Sequence, residues 1–410
     1  MGSQISYILT IIRERKFHMY YVGIDVAKEK HDCAIVDQLG NIVARSFCIK
    51  NSLDGYTRLI QRIEQFTSDR TEVAIGLEDT GHYSGNLINY FTNLFEVKTI
   101  NPLLTSRQKR AETLRKTKTD KIDAVQIAKM LRNGTGFRPV VSIPYDHEEL
   151  KSLSRYRMVL VRKRSKDKAS VKRLINILFP EYEKIIRNTH SITSYAILYS
   201  YPGSNALSAC RVPALTKLLY KASKGHYGED MAIRLKECAK NSIGRTSDAR
   251  SYELKQTIKR IRSLDAEIAE VEDKIRELIG PANPPLATIP GIGASLAASI
   301  IGEIGDFSRF SSPDKILALA GMSPTTYQSG KYTSKHSKME KRGSGDLRSA
   351  LFLATRTVCR FVPEYGEYLA KKQMEGKHYY VAISHAAKKL VRLMYALEIN
   401  HRSFESGRIR

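Results

Sequence analysis

Apolar positions near the start of the chain predict strands at 20–25 (YYVGID), 32–37 (DCAIVD) and 41–48 (NIVARSFC), with Gly40 in the turn before the third. The spacing then becomes helical through Leu53, Tyr56, Leu59, Ile60, Ile63 and Phe66, and reverts to a buried strand at 73–78 (VAIGLE). A second amphipathic helix over about 84–95 carries Leu87, Ile88, Tyr90, Phe91, Leu94 and Phe95, and a strand at 97–101 (VKTIN) ends at Pro102. A helix from about Asp120 to Leu131, stopped by Asn133-Gly134, closes the series. The order β-β-β-α-β-α-β describes an α/β layer whose opening is antiparallel.

From 148 to 188 the pattern is helical and basic, and between Lys151 and Arg173 ten Lys and Arg face a single acid, Asp167. Residues 189–250 show short helical pieces between Gly, Ser and Asn. Leu254, Ile258, Ile261, Leu264, Ile268, Val271, Ile275 and Leu278 then form an a/d-type seam with one irregular step. It suits an antiparallel hairpin or a dimerising coiled coil, and equally a helix packed within its own chain. Pro281, Pro284 and Pro285 mark the next boundary. Ile289-Pro290-Gly291-Ile292-Gly293 opens a helix, and a second short helix follows Pro313; such a pair resembles a helix-hairpin-helix, although PGIG turns also serve close packing. The expected organisation is an extension at 1–18, an α/β domain at 19–147, a helical region at 148–283 with an insertion at 189–250, and a mainly helical domain at 284–410.

Charge narrows the function. Of 410 residues, Lys and Arg number 67 and Asp and Glu 42, a net charge of +25. Such an excess has no use in handling small neutral metabolites and fits a partner that is a polyanion, DNA or RNA. Five scattered cysteines, none in a CxxC pair, argue against a zinc ribbon, a disulfide scaffold and secretion. No apolar run reaches membrane-span length, and 1–18 lacks the features of a signal peptide, so a cytoplasmic protein without membrane contact is expected.

The chemistry rests on carboxylates. Asp25 ends the first strand and Glu78 the fourth, while Asp120 and Asp123 lie three apart on one helical face. Singly, each acid reads as structural. Together they offer the hard oxygen ligands that Mg²⁺ takes, in the arrangement of a ribonuclease-H-like fold able to act on phosphodiesters. Arg107, Lys109, Arg110, Lys116 and Lys118 cluster just ahead of Asp120, and with Arg162, Lys163 and Arg164 they are candidate backbone contacts. Ser329 lies in a Gly/Ser/Lys loop where serines are ordinarily plain loop residues; Lys331, Lys335, Lys341, Arg342 and Arg348 surround it in sequence and could provide a cationic field.

The segments Tyr21–Lys28, Glu78–Tyr83, Ile100-Asn101-Pro102 and Lys118–Ala124 resemble the DEDD motifs of IS110-family transposases. Ile289–Gly293, Ile304-Gly305-Asp306, Leu319–Pro324, Gln328-Ser329-Gly330, Lys341-Arg342-Gly343 and Leu347–Leu351 extend the likeness in the family's order. Residues 1–18 and 189–250 depart from it and inherit nothing. The resemblance implies a RuvC-like N-terminal domain, a coiled-coil linker and a C-terminal transposase domain. It implies that Asp25, Glu78, Asp120 and Asp123 bind Mg²⁺, and that Ser329 is a nucleophile forming a phosphoserine link to DNA. It also implies a homo-oligomer, dimer or tetramer, acting on donor and target DNA under a guide RNA from the element. The principal rival is a metal-dependent nuclease resembling a Holliday-junction resolvase, which would use the same acids with water. A sugar-kinase or actin-like ATPase is disfavoured because Asp25–Lys30 offers no Gly/Thr-rich phosphate loop, and a degenerate nucleic-acid scaffold is disfavoured because all five candidate residues are present.

Overall fold

The computed structural model describes residues 19–78, 83–102, 104–106, 120–140, 145–280, 284–324, 328–329, 332–333 and 339–406, with backbone alone at 120, 121, 138, 139, 145, 146, 328, 329, 332 and 333. The chain divides into two units, Met1–Ser142 and Ile143–Arg410, so the division falls just ahead of the expected 147/148 boundary.

In the first unit the described strands are β1 (Tyr20–Asp25), β2 (Lys30–Val36), β3 (Ile42–Lys50), β4 (Val73–Glu78), β5 (Glu96–Ile100) and β6 (Phe137–Pro139), and the helices α1 (Leu53–Glu64), α2 (Gly85–Phe91) and α3 (Asp120–Arg132). The sheet order is β3-β2-β1-β4-β5-β6. β1 to β3 are antiparallel neighbours, β4 and β5 run parallel to β1, and β6 returns antiparallel on the edge. This mixed sheet fits the ribonuclease-H-like domain expected from the sequence. β6 was not expected: three residues are too few to display a period of two.

Strand alternation assigns the two faces of the sheet. Val22, Ile24, Cys33, Ile35, Ile75 and Leu77 turn to a core completed by Leu59 and Ile63 of α1 and Leu87 and Phe91 of α2. α1 starts where its apolar stripe does, because the Ser52 hydroxyl accepts from the Gly55 N–H at 3.3 Å and caps it. The other face carries Ala34, Gly23 and Gly76, which are paired across β2, β1 and β4. These small residues let α3 lie directly on the sheet. A Cβ on Gly23 would stand 2.2 Å from the Ala124 carbonyl oxygen, and one on Gly76 2.8 Å from the Phe137 ring.

The second unit is helical: α4 (Tyr145–Leu178), α5 (Tyr182–Ile185), α6 (Ile192–Ser200), α7 (Ser204–Ala209), α8 (Val212–Ala222), α9 (Glu229–Lys240), α10 (Asp248–Ile279), α11 (Ala294–Ile304), α12 (Pro313–Leu319), α13 (Gly345–Phe361), α14 (Pro363–Met374) and α15 (Tyr379–Ile399). The seam on α10 packs against α4 of the same chain, the within-chain alternative. Arg157 pairs with Glu272 at 2.6 Å, Arg164 with Asp265 at 2.6 Å and Arg173 with Glu253 at 2.6 Å, so partners descend α10 as they climb α4 and the pair is antiparallel. These exposed or half-exposed pairs contribute at most about 1 kcal/mol each, and the apolar seam supplies most of the attraction.

Insertion 189–250 supplies α6 to α9, which fold with α5 onto the Leu178 end of α4 and the Asp248 end of α10. Tyr182, Leu198, Leu207, Leu215, Leu219 and Leu235 join Leu174, Leu254 and Ile258 in one core. The opposite half of the pair shares a second core with the C-terminal helices, in which Leu160, Ile268 and Ile275 meet Ile300, Ile316, Leu351 and Leu390. The expected 148–283 and 284–410 regions are therefore not separate in packing. In the PGIG turn, Gly291 has φ +95° and a Cβ there would meet Thr357 and Val358 at 3.0–3.1 Å, so it serves close packing on α13. No helix among the described residues is long and apolar enough to cross a membrane.

Candidate active site

One pleat beyond the row Ala34–Gly23–Gly76 comes a row of acids. Asp25 is paired with Asp32 on β2, and Asp25 and Glu78 directly follow the Ile24↔Leu77 pair at the ends of parallel β1 and β4. Because the period is two, Asp32, Asp25 and Glu78 project to the face that α3 covers. α3 is seated through Ala124 and Ala128 over Gly23, and it carries Asp123, buried at 5 % exposure, next to Ala124. The helix begins at Asp120. Thus Asp25 and Glu78 stand at neighbouring strand ends on the face that carries α3, the helix of Asp123. The Asp120 side chain lies outside the described residues, as do Arg107, Lys109, Arg110, Lys116 and Lys118.

Glu78 is held in place, since it accepts a hydrogen bond from the buried Thr105 hydroxyl. Thr105 carried no sequence signal, because threonine has no preferred catalytic spacing. Asp32 did carry one: an acid in a buried strand, opposite a second acid, sets like charges side by side, which is unfavourable without a cation. The donor set is entirely carboxylate oxygen, the chemistry Mg²⁺ takes. Among the described residues, however, no three His, Cys, Asp or Glu side chains are gathered closely enough to hold an ion.

In the second unit Ser329 ends β7 (Gln328–Ser329), whose backbone pairs with β8 (Tyr332–Thr333), Ser329 opposite Tyr332. A short hairpin thus occupies part of what reads from sequence as a loop; the Ser329 side chain, Lys331 and Lys335 lie outside the described residues. Residues 319–324 and 339–344, which flank it in sequence, form a stem. Pro324 bridges Met339, the Glu340 N–H donates to Ser323 O at 2.9 Å, Lys341 to Gly321 O at 2.9 Å and Ser344 to Leu319 O at 2.7 Å. Two glycines let the stem strands touch: a Cβ on Gly343 would sit 2.3 Å from Leu319 O, and one on Gly321 2.8 Å from the Lys341 carbonyl carbon.

A carboxylate ties this stem to α4. Glu303 of α11, 8 % exposed, accepts two hydrogen bonds from Arg155, at 2.5 and 3.1 Å, and one from the Ser344 hydroxyl at 2.6 Å. Ser344 in turn caps α13 by accepting from the Leu347 N–H. Burial alone would raise the Glu303 carboxyl, but the bonds from Arg155 and Ser344 and the nearby positive charges hold it below the ordinary range. A depressed carboxyl stabilises the fold above the ordinary glutamate value, about 4.3, and the contribution is lost as pH falls through the lowered value. Glu303→Gln is therefore expected to cost about 2 kcal/mol at pH 7, less than for a fully buried pair because Arg155 is half exposed, and to flatten the acid limb of the stability profile. Urea unfolding between pH 3 and 7 checks this; an acid limb as steep as wild type's refutes it.

The remaining basic candidates divide. Arg162 pairs with Asp346 at 3.1 Å and Arg164 with Asp265, so both are engaged within the chain. Arg348 donates to the Ala320 carbonyl at 2.8 Å. Lys163, Lys341 and Arg342 are exposed.

Comparison with known proteins accords with this arrangement. The family profile of the IS110 DEDD transposase matches residues 22–180, and that described as the transposase IS116/IS110/IS902 family matches residues 283–370. The chain is 24% identical over 388 residues to the pilin gene-inverting protein of Moraxella bovis, covering 94% of this chain and 97% of that protein. It is 28% identical over 333 residues to the mini-circle putative transposase for IS117 of Streptomyces coelicolor, covering 76% and 78% respectively. It is 22% identical over 388 residues to the 44.8 kDa protein of insertion element IS116 of Streptomyces clavuligerus, covering 94% and 96%. With both profiles matched in order along it, the chain belongs to the IS110 family of transposases, enzymes that recombine DNA.

Proposed function

We propose that this transposase cuts and rejoins DNA strands through a covalent phosphoserine link at Ser329, with Mg²⁺ at Asp25, Glu78, Asp120 and Asp123. The observation that carries the reading is the acid row over a floor of alanine and glycine, with Asp123 set above it by α3. The four carboxylates would hold Mg²⁺, which when bound supplies Lewis-acid stabilisation of a scissile phosphate. Ser329 Oγ gives up its proton and forms a bond to phosphorus as the bond to the departing DNA oxygen breaks, and that oxygen takes up a proton to leave as a hydroxyl. A DNA hydroxyl then attacks the ester and releases the serine, so no ATP is consumed. The relative named for inverting a pilin gene supports rejoining rather than cutting alone, since inversion leaves every strand joined.

Lys163 and the neighbouring exposed lysines of α4, Lys341 and Arg342 contact nucleic-acid backbone in this reading, together with Arg107, Lys109, Arg110, Lys116 and Lys118. DNA sequence is chosen by an element-encoded guide RNA, and the protein acts as a homo-oligomer in the cytoplasm. The test combines full-length protein, DNA spanning the element junction, its flanking transcript and Mg²⁺. A protease-sensitive protein–DNA adduct on a denaturing gel is expected, falling roughly 10²- to 10³-fold in Asp25→Ala. Cleavage with no adduct would replace this reading with hydrolysis by water, as in a resolvase-like nuclease.

A further inference from the structure

A cavity of about 780 Å³ opens between the stem, α13 and α15. That volume lies in the range of small-molecule sites, about 300–1,000 Å³. Its apolar lining includes Met322 and Phe352, and three cations, Lys341, Arg348 and Lys388, share it with one acid, Asp314. The cations are placed by the fold. Arg348 is anchored on Ala320 O through one nitrogen and keeps further N–H donors. Lys341 takes a left-handed φ of +57° while its N–H is bound to Gly321. Asp314 forms ion pairs with Lys388 at 3.7 Å and with Arg392 at 3.8 Å, so it offsets part of the Lys388 charge, while no ion pair among the described residues engages Lys341 or Arg348.

The same cavity exposes an aromatic ring. Tyr380, on the first turn of α15, is 70 % exposed, and its ring stacks on His378 with centroids 5.6 Å apart. An apolar floor, an exposed tyrosine and an excess of cations together match a nucleotide: a base has a π-face to stack and a phosphate to neutralise. The chain leaves the cavity wall at Pro324, five residues before Ser329, a span of at most about 17 Å.

We propose that this cleft receives one nucleotide of the DNA strand being processed, with its base on Tyr380 over Met322 and Phe352 and its phosphate among Lys341, Arg348 and Lys388. The occupant's base would then influence which DNA step is cut. This assignment rests on reading the stem as the carrier of the nucleophile.

The test irradiates full-length Ser329→Ala protein, which leaves DNA uncut, with a single-stranded oligothymidylate octamer carrying one 5-iododeoxyuridine. The crosslink is expected at Tyr380, to fall about tenfold or more in Tyr380→Ala, and to return in Tyr380→Phe, which restores the ring. Tyr380 is exposed, and thermal melting by circular dichroism verifies that the variants are folded. Crosslinks mapping elsewhere and unaffected by Tyr380→Ala overturn the proposal. Stronger crosslinking of the matched oligouridylate RNA to Tyr380 overturns the assignment to DNA. Absence of the covalent adduct in wild type would sink the serine mechanism while leaving this readout intact, whereas an adduct without a Tyr380 crosslink sinks the cleft alone.

Discussion

Ser329→Ala is expected to abolish the protein–DNA adduct and strand joining, a loss of roughly 10⁴-fold or more, as when an enzyme loses its covalent nucleophile. Alanine removes the only atom of that side chain able to bond phosphorus. The Ser329 backbone pairs with Tyr332 across two short strands. Binding of DNA, measured by gel shift, should persist, because the proposed backbone contacts are made by lysines and arginines and not by Ser329. Ser334 and Ser337 are the rival nucleophiles in this segment, and both lie outside the described residues. An adduct that survives Ser329→Ala and disappears in Ser334→Ala or Ser337→Ala would transfer the role; an adduct that survives all three would end the serine mechanism.

Gly23→Val should be nearly as damaging, for a purely steric reason. A Cβ at this position meets the Ala124 oxygen at 2.2 Å and the Ala128 nitrogen at 2.3 Å, both backbone atoms of α3. Neither can rotate away, so the helix must lift from the sheet. Overpacking ordinarily costs about 1–3 kcal/mol, and a backbone-on-backbone clash belongs at or above the upper end. Activity should fall further than stability, because α3 carries Asp120 and Asp123 and any lift separates them from Asp25 and Glu78. Gly85→Ala is the control, since a Cβ there has nothing within 4 Å and an exposed helical site favours alanine. Thermal unfolding and adduct yield should both drop for Gly23→Val and hold for Gly85→Ala. Unchanged values in Gly23→Val would mean that α3 does not set the acids.

Parts of this site were legible without coordinates because they are local. Strands β1 and β4 end on the same triplet, glycine, an aliphatic residue and an acid, as Gly-Ile-Asp and Gly-Leu-Glu. The pattern reports two requirements at once: a bare backbone where a helix must lie close, and a carboxylate one pleat further on the same face. The helix over 120–132 was equally plain, with Asn133-Gly134 as its stop and Gly134 at φ +66°. The basic run on α4 was harder to interpret. Its arginines Arg155, Arg157, Arg162, Arg164 and Arg173 bind acids elsewhere in the chain, while Lys163, Lys166, Lys168 and Lys172 form no ion pair among the described residues. Arginine's planar fork suits fixed carboxylates, a distinction that a count of positive charges erases.

What the sequence alone determined about this protein was therefore its local grammar: strand and helix periods, the stops between them, the acids at strand ends, and an ordered set of motifs that identifies the family. Tertiary structure decided the partners. It gave the α10 seam to α4 of the same chain, folded residues 189–250 onto one end of that pair in a shared core, and placed Thr105 on Glu78 and Glu303 between Arg155 and Ser344. The reason is physical. Periodicity and capping act over a few residues and leave a signature at fixed spacing, whereas an apolar stripe or a charged group accepts any complementary surface, and only the packed chain selects one.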